Sequence, residues 1–163
     1  LSLHDALPIF DSGDTKDIPS WSFNVDLTLP ITSNFTFLGE YFVGANLDTY
    51  AAGIGRGLVS NTEDPESVRS IGAYGGWIAL QAKFIQKLAF NVGAGLDKLK
   101  REDIRKAGGR EQNLSFFANT TYNLTDAFSL GFEYLHVQTD YLIANTVKEA
   151  DLNRYHLSAT YAF

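Results

Sequence analysis

The sequence predicts an all-β chain, an antiparallel up-and-down meander of about seven strands. The first observation is the final run, Tyr155-His156-Leu157-Ser158-Ala159-Thr160-Tyr161-Ala162-Phe163, where every second residue is apolar or aromatic. A strict period of two marks a strand with one greasy and one wet face. The second is that this alternation recurs in six segments upstream. The third is the punctuation, in which short turn-rich clusters take turns with long charged connections.

The first strand is Trp21 to Leu29, where Trp21, Phe23, Val25, Leu27 and Leu29 alternate with Ser22, Asn24, Asp26 and Thr28. The turn residues of Pro30 to Asn34 end it. The second runs from Phe35 to about Leu47, with Phe35, Phe37, Tyr41, Val43 and Leu47 on one face and Glu40, Asn46 and Asp48 on the other. A long connection, about Asp48 to Ser70, carries Gly53-Ile54-Gly55-Arg56-Gly57 and the acidic stretch Glu63-Asp64-Pro65-Glu66. The third strand is roughly Ile71 to Phe84, with Tyr74, Ile78, Leu80, Ala82 and Phe84 opposing Trp77, Gln81 and Lys83. After the tight turn Ile85-Gln86-Lys87 comes the fourth, Leu88 to Leu96, and then a charged connection from Asp97 to about Gln112. The fifth is Asn113 to Tyr122, followed by the turn Asn123-Leu124-Thr125-Asp126. The sixth starts at Phe128, a medium loop is expected over Thr139 to Ala150, and the seventh closes the chain.

Composition narrows the function classes. The 163 residues suit one domain, and mean hydropathy is slightly negative. No run reaches the ~18 apolar residues that a spanning helix needs. A membrane barrel escapes that criterion, because lipid-facing and interior residues alternate along each strand. There is no cysteine, hence no disulfide and no thiolate metal site. The net charge of −6 argues against nucleic acid as a partner.

Two regularities point to lipid. Short and long connections alternate, as periplasmic turns and extracellular loops do in outer-membrane barrels. With that polarity Phe35, Phe84, Phe90, Phe128 and Phe163 fall near one rim, and Trp21, Tyr74 and Tyr155 toward the other. Paired aromatic girdles flank an apolar band where rings sit at headgroup level. The greasy face of the last strand, ending on Phe163, resembles the closing strand of a bacterial outer-membrane β-barrel. Gly44-Ala45-Asn46-Leu47-Asp48-Thr49-Tyr50, Gly75-Gly76-Trp77 and the ending Ser158-Ala159-Thr160-Tyr161-Ala162-Phe163 look like porin-type transporters of the general bacterial kind.

The resemblance covers about Trp21 to Phe163 and implies a barrel in the outer membrane of a Gram-negative bacterium. The implied activity is passive diffusion of small hydrophilic solutes, with no catalysis and no cofactor. The implied partners are outer-membrane lipid and lipopolysaccharide, the barrel-assembly machinery, which would read Tyr161 and Phe163, and further copies in a homotrimer. A non-conducting structural or adhesive barrel is the alternative. Seven strands are odd, whereas bacterial single-chain barrels have even numbers, so at least one strand is expected upstream. No Met and no signal peptide are visible. His4-Asp5-Ala6-Leu7-Pro8-Ile9 resembles a translated sequencing adapter. Residues 1–20 are therefore set aside as an artefactual or loop segment, residues 1–9 as the adapter-like part, and 21–163 read as the barrel portion.

Candidate site residues follow from the face opposite the apolar one. Asp26, Glu40, Asp48, Gln81, Lys83, Asn91, Asn119, Glu133, Arg154 and His156 are expected to line the interior. Charges are tolerated there and costly on lipid, and such residues set hydration and selectivity. The acidic excess predicts a mild cation preference. His156 and Ser158 share a face, but same-face neighbours sit about 7 Å apart, too far for a nucleophile and its base. His136 reads as a rim residue. The Gly53–Gly57 run lacks the spacing of a phosphate cradle and reads as a flexible loop tip. Lys98, Lys100, Arg101, Arg105 and Lys106 are balanced by Asp97, Glu102 and Asp103 and read as a solvated loop, with lipopolysaccharide phosphates as the sharper alternative.

Overall fold

A computed structural model describes residues 17–50, 52–61 and 64–163. The adapter-like segment and Glu63 of the acidic stretch lie outside them. The elements are β1 (Trp21–Pro30), β2 (Phe35–Ala45), β3 (Leu58–Asn61), β4 (Asp64–Ser70), β5 (Gly72–Ile85), β6 (Leu88–Leu99), α1 (Arg101–Ile104), β7 (Gly109–Asn123), β8 (Phe128–Ile143) and β9 (Thr146–Tyr161). Seven strands form one antiparallel meander in the order β1-β2-β5-β6-β7-β8-β9, and β3 and β4 pair apart from it. The sheet is open, since β1 and β9 each pair with one neighbour only.

Two of the three short turns share one device. Thr32 Oγ1 accepts from the backbone of Asn34 and Phe35 at 3.2 and 3.1 Å. Thr125 Oγ1 accepts from Ala127 and Phe128 at 3.2 and 3.0 Å. In each, two successive backbone N–H groups then donate to the carbonyl of the Phe that opens the next strand. A hydroxyl that satisfies turn amides locally fixes the hairpin register. The recurring Thr-x-x-Phe is thus a structural repeat at the turn end of the sheet.

The opposite end, where the longer connections gather, departs from expectation. The loop expected over Thr139–Ala150 is strand: β8 and β9 run on and join through Ala144-Asn145, with φ of 48° and 64°. Two positive φ values give the twist that a two-residue hairpin needs. Strict alternation of short and long connections therefore fails here. β6 and β7 also continue past their expected ends, leaving α1 and its flanks between them, and β3–β4 occupies part of the Asp48–Ser70 connection. These extensions escaped the periodicity because their apolar residues, Leu99, Leu142, Ile143 and Val147, do not alternate with polar ones at a period of two.

Leu47 is corrected as well. β2 ends at Ala45, and Leu47 is buried rather than placed on the apolar face. It belongs to a cluster with Ile54, Ile71, Ala73, Leu99, Ile104 and Leu142 at the loop end. Among the described residues this cluster is the hydrophobic core. The sheet itself covers neither face.

Gly57 holds the entry to this cluster. A Cβ there would collide with Oδ1 of both Asn46 and Asp48. Gly57→Ala is expected to destabilise the loop end by about 1–3 kcal/mol through overpacking. A lowered urea midpoint with unchanged strand content would report it.

Candidate functional site

Register assigns every strand residue to one of two faces. One face is apolar. Leu29, Phe37, Leu80, Val92, Ala118, Tyr134 and Tyr155 lie in register across all seven strands. So do Leu27, Gly39, Ile78, Ala94 and Phe116, but that row continues as His136 and Asn153. Two rows nearer the loop end, Phe23, Val43 and Tyr74 give way to Lys98, Gln112, Asp140 and Glu149. The apolar band thus slants across the sheet. Its loop-end limit lies at Trp21 on β1, near Tyr74 on β5, and at Tyr134 and Tyr155 on β8 and β9. The last two rings lie 5.3 Å apart. Just beyond them Tyr134 Oη donates to Asn153 Oδ1 at 2.8 Å, and His136 lies 3.8 Å from Asp151. At the turn end Phe35 and Phe84 meet edge to face at 5.5 Å.

The other face is the more polar one; it carries the predicted interior residues other than Asp48, interspersed with Trp77, Phe117, Leu135, Val137 and Leu152. Gln81, Asn91, Asn119, Glu133 and His156 stand side by side in register. Four of them form a ladder: Gln81 Nε2 donates to Asn91 Oδ1 (3.1 Å), Asn91 Nδ2 to Asn119 Oδ1 (2.7 Å) and Asn119 Nδ2 to Glu133 Oε2 (3.5 Å). Arg154 closes it from β9, 3.4 Å from Glu133 Oε1. Sequence placement therefore brings Gln81, Asn91, Asn119, Glu133, Arg154 and His156 together. Asp26 faces Glu40 across β1 and β2, and Glu40 Oε2 accepts from the Trp77 indole at 3.1 Å. Lys83 lies nearer the turn end, opposite Ala89. Asp48 is off the sheet, exposed in a 3-10 turn.

A strap crosses this polar face at the loop end. It leaves β2 at Asn46 and includes the 3-10 turns Asp48–Tyr50 and Gly53–Gly55. The Ile54 N–H donates to Asp97 Oδ2 on β6 at 3.0 Å. Arg56 Nη1 donates to the carbonyls of Gly108 and Arg110 beside β7, at 2.8 and 3.2 Å. Gly57 O then accepts from Ile71 N at 2.7 Å, returning the chain to β5. The expected flexible loop tip is corrected here, because Ile54 is only 6% exposed. It holds φ of 53°, a strained value for a β-branched residue. Burial in the cluster and the bond to Asp97 hold it there.

The sequence reading did not identify Asp97, Trp77, Arg56 and Glu111 as functional residues. Glu111 is 2% exposed and receives both Arg101 Nε (2.7 Å) and Nη2 (2.8 Å). That hydrogen bond and the charge of Glu111 raise the Arg101 pKa. The only available signal was the Gly-x-Gly-x-Gly spacing, which permits the positive φ of Gly53 and Gly55. Among the described residues no group of His, Cys, Asp or Glu side chains has metal-site geometry. Among the described residues no helix is long and apolar enough to cross a membrane. No family model, curated protein or solved structure matches the chain.

Proposed function

We propose that these strands are part of an outer-membrane β-barrel forming a channel for small hydrophilic solutes. The observation that carries this is the slanted apolar band. Val25, Ile78, Val92, Phe116 and Leu157 on this face are 49–79% exposed. Apolar surface of this extent on a folded chain marks a membrane or partner contact. Its slant is what strands tilted through a flat apolar slab require. The tyrosines at its loop-end limit and the phenylalanines at its turn end fit headgroup-level girdles.

On this reading the polar face is the lumen wall, and the free edges of β1 and β9 are closed by further strands. Lipid, lipopolysaccharide and the assembly machinery are the partners it implies. No chemistry is required of the wall beyond hydration and electrostatic bias. Asp26, Glu40 and Glu133 outnumber Lys83 and Arg154 on that wall, which predicts mild cation selectivity. The full-length protein in a planar bilayer is expected to give single-channel steps and a cation-selective reversal potential under a salt gradient. Absence of steps would overturn the channel reading. An anion-selective potential would overturn the selectivity alone.

One observation favours a second reading, a non-conducting structural or adhesive barrel. The strap and its buried cluster close over part of the polar face, and the ladder residues bond to one another rather than standing free. The same recording separates the two.

A further inference from the structure

A notch of about 290 Å³ opens on the more polar face, beside the strap's anchor at Asp97. Its floor includes the backbone of Gly95, and its walls are Trp77, Asp97, Asn113, Ser115 and Val137, with Phe42 beside them. The volume sits at the low end for ligand pockets, about 300–1,000 Å³, and suits a small solute. We propose that this notch binds an organic cation, a quaternary ammonium with a small apolar body. The proposal names a solute class for the wall of the proposed channel, but it needs only that the face meet water, not that the barrel conduct.

Three observations build the site. First, the notch follows from one uncovered glycine. On β5 and β6 this face carries Gly75, Gly93 and Gly95. A Cβ on Gly75 would lie 2.8 Å from Phe42 Cζ, and one on Gly93 would collide with Phe117 Cζ, so rings cover both. A Cβ on Gly95 would meet no ring, and its nearest neighbour would be the Ser115 hydroxyl at 2.8 Å. In register Gly95 lies between Trp77 and Ser115, with Val137 beyond. Second, the aromatic wall is held in place. Glu40 and Gly95 flank Trp77 on opposite sides, and the indole Nε1 donates to Glu40 Oε2 at 3.1 Å. A ring already fixed loses little freedom on binding, and its face attracts a cation. Third, the charge lining the notch has one sign. Asp97 lines it, and no lysine or arginine does. Asp97 Oδ2 takes the Ile54 N–H, while Oδ1 is buried without a hydrogen-bond partner. On the far side of Trp77, Glu40 faces a second acid, Asp26. Arg56 of the strap is bound to the carbonyls of Gly108 and Arg110, and Arg154 lies 3.4 Å from Glu133. A neutral apolar solute would use the ring and leave the carboxylate unanswered. The methyls of a quaternary ammonium match the ring and Val137, and its charge matches both the ring face and Asp97.

The test titrates full-length protein in detergent micelles calorimetrically, with the heats into empty micelles subtracted. The probes are choline and 3,3-dimethylbutan-1-ol, its uncharged isostere. Choline is expected to bind at least about tenfold more tightly than the alcohol. Gly95→Val fills the floor, displacing only the rotatable Ser115 hydroxyl at its Cβ, and is expected to abolish binding of both. Trp77→Leu is expected to weaken choline by about tenfold and the alcohol by less. Asp97→Asn keeps an acceptor for the Ile54 N–H, and it tests the charge should the other variants disturb folding. It is expected to weaken choline and leave the alcohol unchanged. No binding of choline by the wild type, equal affinity for the two probes, or undiminished binding by Gly95→Val overturns the proposal. Because binding is read without conduction, its failure is distinct from a failure of the channel reading.

Discussion

Asp97→Ala is expected to release the strap from the polar face. The carboxylate accepts the Ile54 N–H at 3.0 Å. A hydrogen bond to a charged acceptor contributes about 1.5–3 kcal/mol. The strap also stores strain, since Ile54 sits at φ 53°. Such a conformation costs roughly 1–3 kcal/mol and persists only where surroundings enforce it. Removing the acceptor leaves that strain opposed by apolar burial, the Arg56 contacts and the bond from Ile71 N–H to Gly57 O. Trypsin is expected to cut after Arg56 in the variant and spare the wild type, in which Arg56 is bound to Gly108 and Arg110. Should the barrel conduct, the variant is expected to have the larger single-channel conductance. Unchanged proteolysis would show that burial of Ile54, rather than Asp97, holds the strap.

This expectation depends on a contact that no pattern in the chain announces. Ile54 and Asp97 are 43 positions apart, and neither period nor spacing relates them. The sheet was legible because each strand alternates: one face needed an apolar surface and the other did not, and a period of two records that demand directly. The ladder from Gln81 to Glu133 was legible for the same reason, since face follows from parity and neighbours follow from register. Legibility ended where alternation ended. The outer parts of β8 and β9, from Thr139 to Ala150, mix Tyr141, Leu142, Ile143 and Val147 with polar residues without a period of two, and their short Ala144-Asn145 turn lacks the glycine that commonly marks such a turn. The Gly53–Gly57 run was visible, but its glycines fit a free tip and a packed crossing equally well. Burial of Ile54 decides between them, and burial is a tertiary fact.

The slanted band leads to the sharpest test of the membrane reading. Val92 lies midway along the apolar stretch of β6, between Leu88 and Leu96, and is 57% exposed. On a protein in water, replacing so exposed a side chain is worth within about 0.5 kcal/mol. At the mid-depth of a bilayer an arginine on the lipid face costs about 2–4 kcal/mol. Val92→Arg is therefore expected to lower the unfolding free energy of the full-length protein by that larger amount, measured by urea titration in lipid vesicles. Leu88→Arg, nearer the turn end of the same strand, is expected to cost about 0–1 kcal/mol, because the penalty fades toward the interface. Thr121 stands on the polar face, opposite Ala89 and exposed, so Thr121→Arg places the same charge at the wall of the proposed channel with little loss. A depth-dependent penalty confined to the apolar face is the signature of lipid. Equal, small effects at all three positions would mean that the apolar face meets no bilayer.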